Sequence, residues 1–279
     1  MHTDYKDQEV LAGDAKKVFR KLGTCSRTLF YLLNRELGEP MEVEERAADP
    51  LAGGIMKMGY QCGMLWGASL AVGAEAYKEC RHMSQAIGVS IEATRLLMDS
   101  FETHESTTQC REITRCDFNS NLSFAKYMLS GRFLHCFQLA QDWAPEAVVK
   151  AKKALKAKSY NFEHAMSCAS EVAENMGASE EEMVMVSGFA GGLGLSGSGC
   201  GGLAAAIWMN ALKWCRDHKN GSAIEDPKVE ELMRAFKVFT DDKIRCEDIS
   251  NRCFNSVNEH TDYLKSGGCS ELIGELSEI

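Results

Sequence analysis

Twelve cysteines divide into two sets of six, and the second set repeats the first in order. Cys25, Cys62, Cys80, Cys110, Cys116 and Cys136 are answered by Cys168, Cys200, Cys215, Cys246, Cys253 and Cys269, each at an offset of 133 to 143 residues. A chain that carries the same six thiols twice is an internal duplication. It must fold as two related units that present sulfur in equivalent places.

The glycines keep the same register. Ala52-Gly53-Gly54 aligns with Ala190-Gly191-Gly192, and no gap opens through Gly59 and Gly197, Cys62-Gly63 and Cys200-Gly201, or Leu65 and Leu203. Further on, Cys80-Arg81-His82 is echoed by Cys215-Arg216-Asp217-His218, and Leu97-Met98-x-x-Phe101 by Leu232-Met233-x-x-Phe236. The 279 residues therefore split into units of about 140, each long enough to bury a core of its own. The boundary is expected between repeats of residues 1–159 and 160–279.

The pattern within each unit is helical. Leu29, Phe30, Leu33 and Leu37 recur at helical spacing after Thr24, an N-cap candidate, and Gly38 with Pro40 stops the segment. Ser179-x-x-Glu182 has the form of a capping box. Residues 62 to about 79 and 200 to about 216 are free of proline and rich in Ala, Leu and Met, and read as the central helix of each half. Val, Ile and Thr are sparse and no period-two alternation is sustained. The fold class is all-α, a duplicated helical bundle with two pseudo-equivalent halves.

A net charge of −9 excludes nucleic acid or an anionic membrane as the main partner, since both need clustered Lys and Arg. The one basic run, Lys150, Lys152, Lys153, Lys156 and Lys158, reads as a solvated helix face. No apolar stretch is long enough for a membrane span, and residues 1–10 carry Asp4, Asp7 and Glu9 in place of a signal pattern. The expected location is the cytoplasm, where thiols stay reduced and structural disulfides are a poor explanation for so many cysteines. Metal or redox work remains.

Cys62 and Cys200 stand where a glycine-rich turn enters a helix, so the helix N-terminus is expected to favour their thiolates. Gly59, Gly63, Gly197, Gly199 and Gly201 would let the main chain approach a bulky inorganic group, although Gly63, Gly67 and Ala71 equally suit a stripe for helix packing. Gly192-x-Gly194-x-x-Gly197 has the letters of a dinucleotide fingerprint without the preceding strand that gives it meaning. His82 and His218 recur beside Cys80 and Cys215 and are candidate ligands, but their position suits exposed helix ends better; His104 and His135 have no counterparts. Acidic residues are abundant without a pattern that names a general acid or base.

Taken together, an early helical Cys, a Gly-Gly run ending in Cys-Gly, a later Cys and a final helical Cys resemble the redox-active family named for its C, GCAxxG, C, C pattern. In the first half these are Cys25, Cys62-Gly63-Met64-Leu65-Trp66-Gly67, Cys110-Arg111-Glu112 and Cys136. In the second they are Cys168, Cys200-Gly201-Gly202-Leu203-Ala204-Ala205, Cys246-Glu247-Asp248 and Cys269. Met64 replaces the motif's alanine, and Ala205 its last glycine. The resemblance implies a tandem fusion of two helical units that binds an iron–sulfur cluster, with those eight cysteines as the expected ligands.

Four thiolates converging from separate helices suit a [4Fe–4S] cluster, which is favoured here, or a [2Fe–2S] cluster, and also tetrahedral zinc. Cys80, Cys116, Cys215 and Cys253 are left as additional metal or redox thiols or small buried hydrophobes. An iron–sulfur protein would work with a redox partner protein, or as an oxidoreductase in its own right. The alternatives are a metal-free thiol–disulfide or sulfur relay through pairs such as Cys110 and Cys116, and a zinc or copper bundle. The last would line its helices with Cys at i and i+4, which this chain lacks. The sequence leaves open whether the halves share one cluster, and the oligomeric state.

Overall fold

The computed structural model describes residues 5–157, 162–219 and 222–279, with side chains from residue 14 onward, Glu225 excepted. The expected repeat boundary, Lys158 of the basic run and the first four residues lie outside the described residues. Elsewhere in that run, Lys153 and Lys156 are exposed, and Lys150 and Lys152 are partly so.

The first repeat contains α1 (Tyr5–Leu22), α2 (Cys25–Leu37), α3 (Glu42–Ala47), α4 (Gly63–Glu79), α5 (Met83–Glu105), α6 (Cys110–Thr114), α7 (Asn121–Leu129) and α8 (Phe133–Leu155). The second contains α9 (Cys168–Asn175), α10 (Glu180–Ser187), α11 (Gly201–Asp217), α12 (Pro227–Thr240), α13 (Cys246–Ser250), α14 (Val257–Lys265) and α15 (Ser270–Glu278). From α2 and α9 onward the repeats match helix for helix. The described residues form no strand, and no helix among them is long and apolar enough to cross a membrane.

Local chemistry accounts for several boundaries. The capping box at α10 is formed, with the Glu182 N–H donating to Ser179 Oγ and the Ser179 N–H to the Glu182 carboxylate. Thr24 does occupy the cap position of α2, but its hydroxyl donates to Asp49 Oδ1 at 2.6 Å and ties the helix start to the turn before the glycines. The central helices α4 and α11 are buried on nearly all sides, which explains their lack of a polar stripe.

The core is shared by the repeats, in place of one core per unit. Within each repeat the first helix packs on the next (α2 on α3, α9 on α10), and the central helices take the short helix of the opposite repeat: α3 lies on α11, and α10 lies on α4. One hydrophobic cluster accordingly runs from Phe30, Trp66 and Trp143 to Phe189, Trp208 and Phe236. The Trp66 ring meets Phe189 edge-on at 4.9 Å, and Trp208 Nε1 donates to the Glu44 carbonyl at 3.3 Å. Burial on this scale favours association by about 25 cal/mol per Å² of apolar surface, so each half stabilises the other.

Candidate functional site

Before each central helix the backbone turns left-handed. Gly53, Gly54, Ile55, Met56 and Lys57 have φ of 71°, 74°, 59°, 47° and 63°, and Gly191, Gly192, Leu193, Gly194 and Leu195 repeat this at 59°, 85°, 70°, 60° and 65°. Left-handed geometry costs roughly 1–2 kcal/mol at each non-glycine residue, and most at a β-branched one such as Ile55. It persists because Ile55 and Leu193 are wholly buried and because Gly59 N–H to Gly53 O and Gly197 N–H to Gly191 O, both 2.9 Å, close the turn. An L side chain cannot replace Gly54, whose Cβ would stand 2.4 Å from the Tyr60 backbone.

The turn gathers the sulfurs. Its first N–H, from Gly53 or Gly191, faces the sulfur of Cys25 or Cys168. Its exit runs into a one-residue antiparallel bridge, Gln61 with Gln109 and Gly199 with Arg245. Cys110 N–H donates to Tyr60 O at 2.7 Å and Cys62 N–H to Thr108 O at 2.8 Å, as Cys200 N–H does to Ile244 O at 2.8 Å. This bridge fixes the second motif cysteine beside the third. The fourth is met by a tyrosine: Tyr127 Oη is 3.5 Å from Cys136 Sγ, and Tyr263 Oη 3.6 Å from Cys269 Sγ.

As a result Cys25, Cys62, Cys110 and Cys136 line one cavity, of about 650 Å³, and Cys168, Cys200, Cys246 and Cys269 line another, of about 20 Å³. Each repeat collects its own four thiols. Among the described residues no three His, Cys, Asp or Glu side chains are arranged to grip a metal ion, so the sulfurs form cavity walls and not a closed cage around one ion. The donor set still fits a cluster in kind, being all sulfur, four per cavity, with a main-chain N–H aimed at the first thiol; the first cavity has the room for one, and the second, at about 20 Å³, has to widen to take one.

The remaining thiols lie elsewhere. Cys116 is buried beside Ser123, whose hydroxyl donates at 3.7 Å; its counterpart Cys253 is exposed and donates to Glu247 Oε2 at 3.6 Å. Cys80 lies at the surface near Lys78 and Glu180, and Cys215 is a buried core residue. His82 and His218 are exposed helix-end residues, with His218 stacked on Trp214 at 3.8 Å. His135 is exposed and pairs with Glu105 at 3.0 Å, and His104 is exposed.

Two expectations about the helix starts need correction. The hydrogen bond Cys62 makes with Cys25, then burial and the neighbouring sulfurs, push the Cys62 thiol well above the usual range, and burial pushes Cys200 up to about 11 even though the Leu203 and Gly202 N–H groups oppose it. The helix terminus loses to the Cys25 hydrogen bond and burial at Cys62, and to burial at Cys200. Cys25 alone of these eight is held below the usual thiol range, first by a hydrogen bond from Cys62 and then by the main chain of Gly53 and Ser26, against burial. Burial raises Cys110 and Cys168 strongly, Cys136 to about 11, and Cys246 and Cys269 as well. Of the candidate approach glycines, Gly63 does abut a sulfur: its Cβ would stand 2.6 Å from Cys25 Sγ. Gly201 makes room for the Phe189 carbonyl, and Gly59 and Gly197 for Arg111 and Glu247. The N–H of Gly199 donates to Gln61 Oε1 at 2.9 Å across the repeats. The Gly192–Gly197 run belongs to the left-handed turn and follows a helix.

The C_GCAxxG_C_C family, described as a putative redox-active protein, has a model that matches residues 24–148 and again residues 162–279. The chain belongs to this family. It is a tandem of two C_GCAxxG_C_C units, each complete in its four motif cysteines. Comparison with curated proteins and with solved structures gives no match.

The family pattern names cysteine, glycine and alanine but no tyrosine or histidine, and Tyr127, Tyr263 and His260 were not singled out from the sequence. The tyrosines carried a signal, since they recur at an offset of 136 residues. His260 sits in the second cavity at the position held by Phe124 in the first. Its ring meets Phe254 at 5.0 Å, and burial lowers its pKa to about 4, so it is neutral.

Proposed function

We propose that this C_GCAxxG_C_C tandem is an iron–sulfur redox protein, with Cys25, Cys62, Cys110 and Cys136 holding one cluster and Cys168, Cys200, Cys246 and Cys269 a second. The observation that carries this reading is that the same four of six duplicated cysteines line one cavity in each repeat, while the other two stand apart. A bound cluster, [4Fe–4S] or [2Fe–2S], would supply one-electron transfer to a redox partner protein. The chain's own residues would set its environment: the Gly53 and Gly191 N–H groups and the Tyr127 and Tyr263 hydroxyls donate toward sulfur, and in the second repeat the closed, mostly apolar wall excludes water. Anaerobic purification followed by iron and acid-labile sulfide analysis and electron paramagnetic resonance tests it. A brown protein with both elements supports the reading, and a colourless one that takes up no cluster on reconstitution refutes it.

The Cys25–Cys62 contact favours a second reading, a metal-free dithiol. Here the two sulfurs would join as a disulfide, releasing two protons and passing two electrons to an oxidised disulfide partner. This replaces Cys110 and Cys116 as the working pair, because Cys116 does not line the cavity. Cys62→Ser abolishing thiol exchange in iron-free protein would support it.

A further inference from the structure

The first cavity is larger and differently lined than four thiols require. About 650 Å³ lies within the range of small-molecule sites, and the cavity opens to solvent beneath α7. Its wall carries Phe118, Phe124, Tyr127, Phe133 and Phe137, whose rings stand 5.5–6.3 Å from one another in two linked groups. In the second repeat Phe124 and Phe137 give way to His260 and Ser270, and Phe133 lies in a stretch between Gly131 and Cys136 that is three residues shorter between Gly267 and Cys269. Three rings have thus been placed, or kept, only where the cavity is open.

Tyr127 is buried, and Phe137 packs on Phe19 at 4.5 Å with Arg20 over its ring. Phe124 is 45 % exposed and Phe118 and Phe133 are partly exposed, so these three are the rings a flat guest could meet. The rim offers Lys57 and Glu230, exposed and of opposite sign. Inside, Asp49 is already engaged by the Thr24 hydroxyl. Aromatic walls select a planar, apolar ring system, since ring faces and edges attract one another beyond the area they bury.

We propose that the first-repeat cleft binds a small molecule built on an uncharged planar aromatic ring system, stacked among Phe118, Phe124 and Phe133 in front of the Cys25 thiol set. The second repeat has no such site, because its equivalent cavity has room for about one water-sized group. This goes beyond the proposed redox role and stands on the cleft alone, whatever the thiols hold.

Isothermal titration of the full-length protein with anthraquinone-2-sulfonate tests it, with octanesulfonate as a probe of the same head group on a flexible chain. One anthraquinone site per chain is expected, at least about tenfold tighter than octanesulfonate. Phe133→Ser should weaken it about tenfold and Phe124→His, at a half-exposed position, about threefold, while Phe239→Ser on the exposed face of α12 leaves it unchanged. Absence of binding, equal or tighter binding of octanesulfonate, two sites per chain, or Phe variants that bind as well as the parent would each overturn it. Iron measured on the same samples separates the two ideas: a ring that binds iron-free protein leaves this inference standing when the cluster reading has failed, and an iron-loaded protein that binds no ring does the reverse.

Discussion

In the first repeat four cysteines stand at the back of an open cleft of about 650 Å³, whereas the equivalent four in the second close on about 20 Å³. The backbone that delivers them is the same in both: a left-handed turn, a one-residue bridge, a central helix and a tyrosine on the last sulfur. The difference lies in what covers them. Helix α14 is held down through His260, Thr261 and Leu264, all buried, with Thr261 Oγ1 accepting from the Met166 N–H at 3.1 Å. Helix α7 buries only Tyr127 and leaves Leu122 and Leu129 85 % and 89 % exposed. Duplication preserved the thiol scaffold and changed its access, which separates what holds the sulfurs from what reaches them.

If the scaffold is equivalent in both repeats, the turn glycines should be equally intolerant. Gly54→Ala and Gly192→Ala each drive a Cβ into backbone, at 2.4 Å from Tyr60 N and 2.7 Å from Ser198 N, in a left-handed conformation. Each is expected to lose roughly 2–5 kcal/mol in denaturant unfolding. A large loss in one repeat and none in the other would break the equivalence.

Access should appear next. In reduced, metal-free protein, iodoacetamide is expected to modify the Cys25 set at least about tenfold faster than the Cys168 set, with exposed Cys253 as an internal standard. Peptide mass spectrometry resolves the sites. Equal rates for the two sets would show that the closed site opens as readily as the cleft.

The thiols also make stability depend on pH. In the metal-free chain Cys62, Cys110, Cys168, Cys200 and Cys246 keep their protons to higher pH folded than unfolded, so their contribution is fully present below the unfolded thiol value of about 8.5 and is lost as pH rises through the folded values. Cys25 is shifted the other way and opposes this in the first repeat alone. Thermal unfolding midpoints should therefore fall above pH 8.5, and serine at Cys168 and Cys246 should flatten the decline more than serine at Cys25 and Cys62. A decline that is absent, or flattened more by the first-repeat changes, contradicts this.

The fold was largely legible in the sequence because helix periodicity, the Ser179 capping box and the doubled cysteines are local or repeated signals. What escaped was set by long-range packing. Gly53-Gly54 reads as a flexible entry, and nothing local says that Ile55, Met56 and Lys57 continue it left-handed; that is imposed by burial of Ile55 and bonds back to Leu51 and Pro50. The exchange of α3 and α10 between repeats is equally invisible, since either repeat could offer the same apolar face. The site's four cysteines per repeat could be named from the family pattern, but not the ionisation of Cys25, which depends on Cys62 lying beside it in space.

The smallest expected effect is at the tyrosines. Tyr127→Phe and Tyr263→Phe each remove one hydroxyl from a sulfur, for about 0.5–1.5 kcal/mol of stability. In iron-free protein Tyr127→Phe should raise the Cys136 pKa further, as read by the pH dependence of alkylation. In cluster-loaded protein both should lower the reduction potential, since a donor to sulfur stabilises the reduced form. Shifts of opposite sign in the two repeats would show that the hydroxyls do not act on equivalent sulfurs.

The most direct test of two self-contained thiol sites is iron and acid-labile sulfide per chain, measured anaerobically in the parent, in Cys25→Ser/Cys62→Ser, in Cys168→Ser/Cys200→Ser and in all four together. The account predicts that each pair of changes removes its own share of both elements, leaving the other repeat's share intact, and that the fourfold change removes both. Full iron and sulfide in the fourfold variant, or complete loss from either pair alone, would contradict it.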